Sequence, residues 1–130
     1  MKRWIITGLL LVMLAGCGGT QSAAAGQTQT VDGLTITLTP LAEPAMGMPQ
    51  QWTVKLADAA GQPVTGADVY LDLIMTAMTM GQNKPLASDN GDGTYSAAGV
   101  YSMGGEWQVV VHAEVDGVDH VATFEVSVAK

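Results

Sequence analysis

Trp107-Gln108-Val109-Val110-Val111-His112-Ala113-Glu114-Val115-Asp116-Gly117-Val118-Asp119-His120-Val121-Ala122-Thr123-Phe124-Glu125-Val126 is the stretch whose reading decides the fold. Asp116-Gly117 at its centre is a two-residue hairpin signal, because the favoured turn needs positive φ at both positions. Pairing Val115 with Val118 fixes the rest of the ladder. It sets Ala113 opposite His120, Val111 opposite Ala122, Val109 opposite Phe124 and Trp107 opposite Val126, which makes one face almost wholly apolar. A slip of one residue would bring Thr123 and Glu125 into that face, so the register is well specified. The same register sets Glu114 opposite Asp119, a like-charge pair that weakens a sheet.

Working upstream, the same period-two alternation recurs. Leu34, Ile36 and Leu38 share a face until Pro40 stops the ladder, and Trp52, Val54 and Leu56 share another until the turn residues Asp58-Ala59-Ala60-Gly61-Gln62-Pro63. A third strand from near Gly66 turns Val69, Leu71, Leu73 and Met75 inward. Ile74 faces out in this register, which suggests a partly covered outer face. Gln82 to Ser88 is a weak edge strand interrupted by Pro85. Asp89-Asn90-Gly91-Asp92-Gly93 is a turn leading to a strand over Thr94–Tyr101; its acids do not alternate as a calcium loop requires, and the distal position holds Val100. About seven strands with no helical periodicity after the first residues predict an all-β, immunoglobulin-like Greek-key sandwich.

The start of the chain has a different character. Lys2 and Arg3 precede a short apolar run, Trp4 to Leu14, which falls short of the roughly 20 residues that cross a bilayer and reads as an export signal. Leu14-Ala15-Gly16-Cys17 resembles the lipobox of bacterial lipoproteins, so residues 1–16 are expected to be a signal peptide and Cys17 the lipidated residue. Residues 17–30 then read as a lipidated cysteine with a flexible tether, since Gly18 to Thr30 has almost no bulky apolar side chain. Residues 31–130 form one domain. The expected location is the cell envelope, on the outer face of a bacterial membrane.

With Cys17 committed to lipid, the exported domain has no disulfide and no thiolate ligand. Loss of residues 1–16 leaves three lysines against twelve acids, a formal charge of −9. Such a surface repels nucleic acid, so none is expected as partner. It also favours solubility and concentrates cations modestly.

Methionine is the residue type left to explain. Met75, Met78 and Met80 leave a strand where turn residues are usual, and Met103 precedes Gly104-Gly105-Glu106-Trp107, the opening of the decisive hairpin. Thioether sulfur is a soft neutral donor suited to Cu(I). Met78 and Met80 share parity and can present two sulfurs on one face, whereas Met75 lies on the opposite parity and needs a bulge to join them. Taken alone, Met75 reads as core, for methionine is an adaptable filler. Met46 and Met48 sit between prolines in a loop, either as surface residues or as further ligands.

Other chemistry is poorly supported. His112 points outward between Val110 and Glu114, in a solvated or cross-strand role, and His120 points inward near the hairpin tip as a hydrogen-bonded rim residue. No zinc-hydrolase spacing occurs, and Ser88 and Ser96 lack a base, so no enzyme is expected.

Gly66-Ala67-x-Val69, Met75-x-x-Met78-x-Met80, Gly91-x-Gly93-x-Tyr95 and Met103-x-Gly105-x-Trp107, followed by Val109 and Val111, together resemble the YtkA-like domain, related to FixH-type proteins. The resemblance covers about residues 31 to 128. It implies a small immunoglobulin-like domain in exported or membrane-tethered proteins associated with copper handling or cytochrome oxidase assembly. It also implies Met75, Met78, Met80 and Met103 as the ligand positions. Family members often carry Pro after the first methionine, where Thr76 stands here. The expectation is a tethered, non-enzymatic Cu(I)-binding lipoprotein with a membrane copper transporter or oxidase assembly protein as partner. The alternative is a metal-free interaction module with a Met-rich apolar patch.

Overall fold

Asp116 and Gly117 turn the chain with φ of 51° and 78°, the two positive values that the hairpin signal demands. The computed structural model describes residues 26–77 and 83–130, and in it the strands on either side of that turn pair as the alternation requires. Val115 faces Val118, Ala113 faces His120, Val111 faces Ala122, Val109 faces Phe124 and Trp107 faces Val126. The inward residues Trp107, Val109, Val111, Ala113, Ala122 and Phe124 are at most 1% exposed. Burying each large apolar side chain contributes about 1.5–3 kcal/mol, so a slip that exposed this row would be decisively unfavourable.

Among the described residues, eight strands form two antiparallel sheets. They are β1 (Gln27–Val31), β2 (Leu34–Pro40), β3 (Pro49–Ala57), β4 (Asp68–Met75), β5 (Ser88–Asp89), β6 (Thr94–Val100), β7 (Gly105–Val115) and β8 (Val118–Val128). One sheet has the order β1-β2-β3-β6-β5 and the other β4-β7-β8. With β1 set aside as an added edge, this is the arrangement of an immunoglobulin constant-type sandwich, four strands over three. The fold expected from the alternation is therefore the fold observed. Leu34, Ile36 and Leu38 of β2, Trp52, Val54 and Leu56 of β3 and Val69, Leu71, Leu73 and Met75 of β4 all point into the shared core.

Three expectations need correction. The stretch expected to be tether as far as Thr30 is already a strand from Gln27. β1 pairs with β2 from Gln27 opposite Leu38 to Val31 opposite Leu34, across a second turn with positive φ at Asp32 and Gly33. Apart from Val31, which packs against the core, it has no apolar side chain to bury and is held otherwise: Gln27 Nε2 donates to the Glu125 carbonyl at 3.0 Å, and Gln29 Nε2 donates to the Thr123 carbonyl. These bonds tie the edge of one sheet to the edge of the other.

The second correction concerns the expected weak strand over residues 82–88. Within its described part, Asn83 to Ala87 runs beside β4, with Leu71 N, Leu73 N and the Val69 carbonyl bonded to Pro85, Asn83 and Ala87. Only Ser88 and Asp89 cross to pair with β6. The segment therefore covers the β4 edge and passes between the sheets. Pro85 fits because its carbonyl accepts while its missing N–H is not called upon. The third correction is Ile74, which is 40% exposed, so the outer face is open there.

Strand directions give the sandwich two distinct ends. At one end β4 and β6 finish and β3 and β7 begin, bringing together the Met46–Met48 loop, Met75 and Met103. At the other lie the turns bearing Asp32, Asp58, Asp89, Asp92 and Asp116.

Candidate functional site

Met75 is the last residue of β4 and sits opposite Trp107 of β7. Its parity turns it inward, where it is 8% exposed and part of the core. Its terminal methyl reaches the opening of β7: a Cβ built on Gly105 would stand 3.0 Å from Met75 Cε. Gly105, at φ 135°, thus leaves space that any side chain would fill. Gly104 has a separate reason, since a Cβ there would lie 2.6 Å from Lys130 Cγ and 3.0 Å from its Cα. The two glycines preceding the hairpin let a thioether and the end of the chain approach the backbone.

Thr76 continues the pairing past β4. Its N–H and its hydroxyl both donate to the Glu106 carbonyl, at 3.3 and 3.2 Å. A proline at this position has no N–H and cannot make the first of these bonds. Thr76 therefore fastens the exit of β4 to the start of β7.

Met103 is 41% exposed, and its carbonyl accepts a hydrogen bond from Trp107 Nε1 at 3.0 Å. The loop between β6 and β7 is thereby pinned to the indole beneath it. Trp107 packs edge-on against Tyr101 with centroids 5.2 Å apart, and Tyr101 packs edge-on against Trp52 at 5.7 Å. This aromatic row forms the floor of the methionine end. Tyr101 is fully buried, and its hydroxyl has no hydrogen-bond partner among the described residues. Burial pushes that hydroxyl up to about 12.

The Met46–Met48 loop joins the same end through backbone bonds. Met46 bridges to Tyr101 in parallel, Gly47 N donates to the Tyr101 carbonyl at 2.9 Å, and Met46 N donates to the Ala129 carbonyl at 3.2 Å. Gln50 is a buried polar residue whose side-chain amide reaches the Ala45 and Met48 carbonyls at 3.5 Å. Met46 and Met48 are 46% and 58% exposed. Of the four expected ligand positions, the fold brings Met75 and Met103 to one end. Met78 and Met80 lie outside the described residues, as do the signal segment and Cys17.

The histidines lie elsewhere. His112 has a cross-strand role: it stacks on Tyr70 at 4.4 Å with the planes 5° apart, and its Nδ1 is 3.1 Å from Asp119 Oδ2. His120 was expected to be hydrogen-bonded, yet its buried Nδ1 has no partner among the described residues. The turn over residues 89–93 is closed by its own carboxylates, Asp89 Oδ1 accepting from Gly91 N at 2.7 Å and Asp92 Oδ1 from Thr94 N at 3.1 Å. The Thr94 hydroxyl and amide hold the Asp92 carboxyl below its usual range. Among the described residues, no three His, Cys, Asp or Glu side chains gather where they could hold one metal ion.

The YtkA-like family pattern matches residues 28–112, well over half of the sequence, and spans β1 to the middle of β7. The chain belongs to the YtkA-like family. This YtkA-like domain is also similar to part of the crystal structure of invasin, a bacterial integrin-binding protein, with a TM-score of 0.55 and 28% identity over 81% of this chain. It spans 20% of the invasin chain, so the likeness is to one portion of a much longer protein. Domains 4 and 5 of the S-layer protein SbsC match at a TM-score of 0.45 and 14% identity, covering 82% of this chain and 54% of theirs. No functionally curated protein matches. The YtkA-like assignment and the immunoglobulin-like sandwich fit a non-enzymatic protein module.

Proposed function

We propose that this YtkA-like protein is an exported lipoprotein, held to the outer face of a bacterial membrane through Cys17, that binds Cu(I) through methionine thioethers. Its role would be to buffer copper for, or pass it to, a membrane copper transporter or an oxidase assembly protein. The observation that carries this reading is that Met75 and Met103 lie at the same end of the sandwich, the thioether methyl of Met75 lying over Gly105, two residues from Met103 in the chain. Met78 and Met80 follow Met75 within five residues and complete the proposed donor set. Neutral sulfur donors hold Cu(I) without releasing protons and exchange it readily with another thioether site.

The test is addition of Cu(I) to the full chain in detergent under reducing conditions, with Cys17→Ser as background so that no thiol competes. Near-stoichiometric retention is expected, and it should be lost in Met78→Leu with Met80→Leu. Failure to retain copper, or retention indifferent to those substitutions, would refute the proposal.

A second reading rests on the exposure of Met46, Met48 and Met103. Flexible thioether side chains form adaptable docking patches, and the likeness to invasin is to an integrin-binding protein. Leucine substitutions at the methionines separate the two readings: they would preserve docking under this one and abolish copper uptake under the first.

A further inference from the structure

We infer that the methionine end of the sandwich faces the bilayer that holds Cys17, with the acidic end directed away from it. The partner that exchanges metal there is thus reached at the membrane surface. This rests on the proposed lipidation of Cys17, while the orientation follows from where the domain takes up the chain. Gly26 lies beside the end of β2, since a Cβ on it would stand 2.8 Å from Thr39 Oγ1, and the next residue, Gln27, pairs with Leu38. The chain therefore enters at the methionine end.

Length limits what the domain can do from that point. Cys17 to Gly26 is nine residues, at most about 30 Å when fully stretched. Strand β7 alone has 11 residues and runs roughly 35 Å from the methionine end to the acidic end. A tether fixed at the near end cannot run the length of the body and bring the far end to the lipid. The longer tether expected from sequence would have permitted it, and β1 removes that slack by ordering Gln27–Val31.

Surface chemistry then selects upright over sideways. The far end holds the five turn aspartates together with Asp68, Glu114 and Asp119, eight of the twelve acids. The near end holds Glu43, Glu106 and Glu125, with Glu106 bonded to Ser127, Glu125 to Gln108, and Lys130 beside Gly104. Among the described residues it also presents the exposed apolar side chains Leu41, Met46, Met48, Val100 and Met103, against Val118 and Val121 toward the far end. Apolar side chains suit the bilayer interface. Carboxylates are repelled by anionic headgroups over about 8 Å at physiological salt, so an upright body places the acid-rich end well outside their field.

The full lipidated chain, in nanodiscs of phosphatidylcholine and phosphatidylglycerol doped with a paramagnetic headgroup lipid, tests this through methyl NMR. The Met46, Met48 and Met103 methyls should broaden several-fold more than those of Val118 and Val121 at the far end. Equal broadening, or stronger broadening of the valines, would overturn the orientation. Inserting about a dozen Gly-Ser residues after Gly19, roughly 40 Å of extra contour, should raise the valine broadening toward that of the methionines. An unchanged profile would overturn the length argument. Mass spectrometry of the same sample reads the lipid on Cys17 separately, so loss of the lipoprotein reading is told apart from a wrong orientation. Preferential broadening that persists while copper is not retained would support the orientation and remove only the metal.

Discussion

The two ends of the sandwich are built on opposite principles. At the acidic end the chain reverses through short polar turns that close on themselves: Asp116-Gly117 and Asp32-Gly33 use positive φ, and Asp58, Asp89 and Asp92 carboxylates accept from backbone N–H groups one turn ahead. At the methionine end the connections over residues 41–48 and 101–104 are held by the body beneath them. Trp107 Nε1 pins the Met103 carbonyl, Tyr101 pins Gly47, and Gln50 reaches the carbonyls flanking Met46. The local turns tolerate little change in backbone and lean little on the core, apart from the connection over residues 58–67, where the buried Tyr95 hydroxyl donates to the Val64 carbonyl and accepts from Ala67 N. The methionine end depends on the core for its shape, which leaves its exposed side chains free for function.

That contrast can be broken first at Trp107. Trp107→Ala removes the indole floor and the bond to Met103 together and should cost about 3–5 kcal/mol, read as a lowered denaturant midpoint. The methionine methyl resonances should lose their dispersion, while the Asp116-Gly117 turn keeps its hydrogen-exchange protection relative to the rest of the destabilised domain. A smaller effect separates the ends by pH. Tyr101 is raised in the folded state to about 12, so the folded protein holds its proton where the unfolded chain has lost it. The stabilisation is complete below the ordinary tyrosine value near 10 and disappears as pH climbs from 10 through 12. The loss is on the order of 2 kcal/mol. Urea midpoints at pH 9 and near pH 12 should show it in the natural protein. Tyr101→Phe should reduce that decline without removing it, because burial also raises Tyr95, and should cost little at neutral pH, because the hydroxyl it removes has no partner among the described residues.

The smallest effect belongs to the acidic end. Asp68, Glu114 and Asp119 stand side by side across β4, β7 and β8, and Asp119 is eased by His112 at 3.1 Å. Glu114 is the middle member, so Glu114→Gln relieves both like-charge contacts. It should stabilise by a few tenths to about 1 kcal/mol, a gain that shrinks as salt is raised. No change at low salt would mean that solvent already screens the row.

The decisive hairpin was legible down to individual partners, because an Asp-Gly turn and a strict apolar alternation both constrain the same register and agree. β1 was missed because Gln27, Thr28, Gln29 and Thr30 bury nothing, and apolar periodicity is silent about a strand held by threonine pairs and glutamine amides. A signal was nonetheless present: Asp32-Gly33 between Val31 and Leu34 is the same hairpin dipeptide that fixed β7 and β8. The placement of Asn83–Ala87 against β4 had no such signal, since it is set by backbone bonds to a strand of distant register. For the metal-ligand candidates, parity alone gave Met75 its inward position. The convergence of Met103 and the Met46–Met48 loop on the same end depends on which strands are neighbours.

Sequence by itself determined the alternation, the turns and hence the sandwich, because those depend on side-chain chemistry a few residues apart. With the single cysteine in the lipobox-like stretch, it also left Met and His as the donors from which any soft-metal site would be built. Tertiary structure decided which ends meet. Met75 lies over Gly105, the Met46 loop locks to Tyr101, and the chain enters beside Thr39. Each of these is a contact between residues far apart in the chain, fixed by the packing of two sheets and not by any local preference.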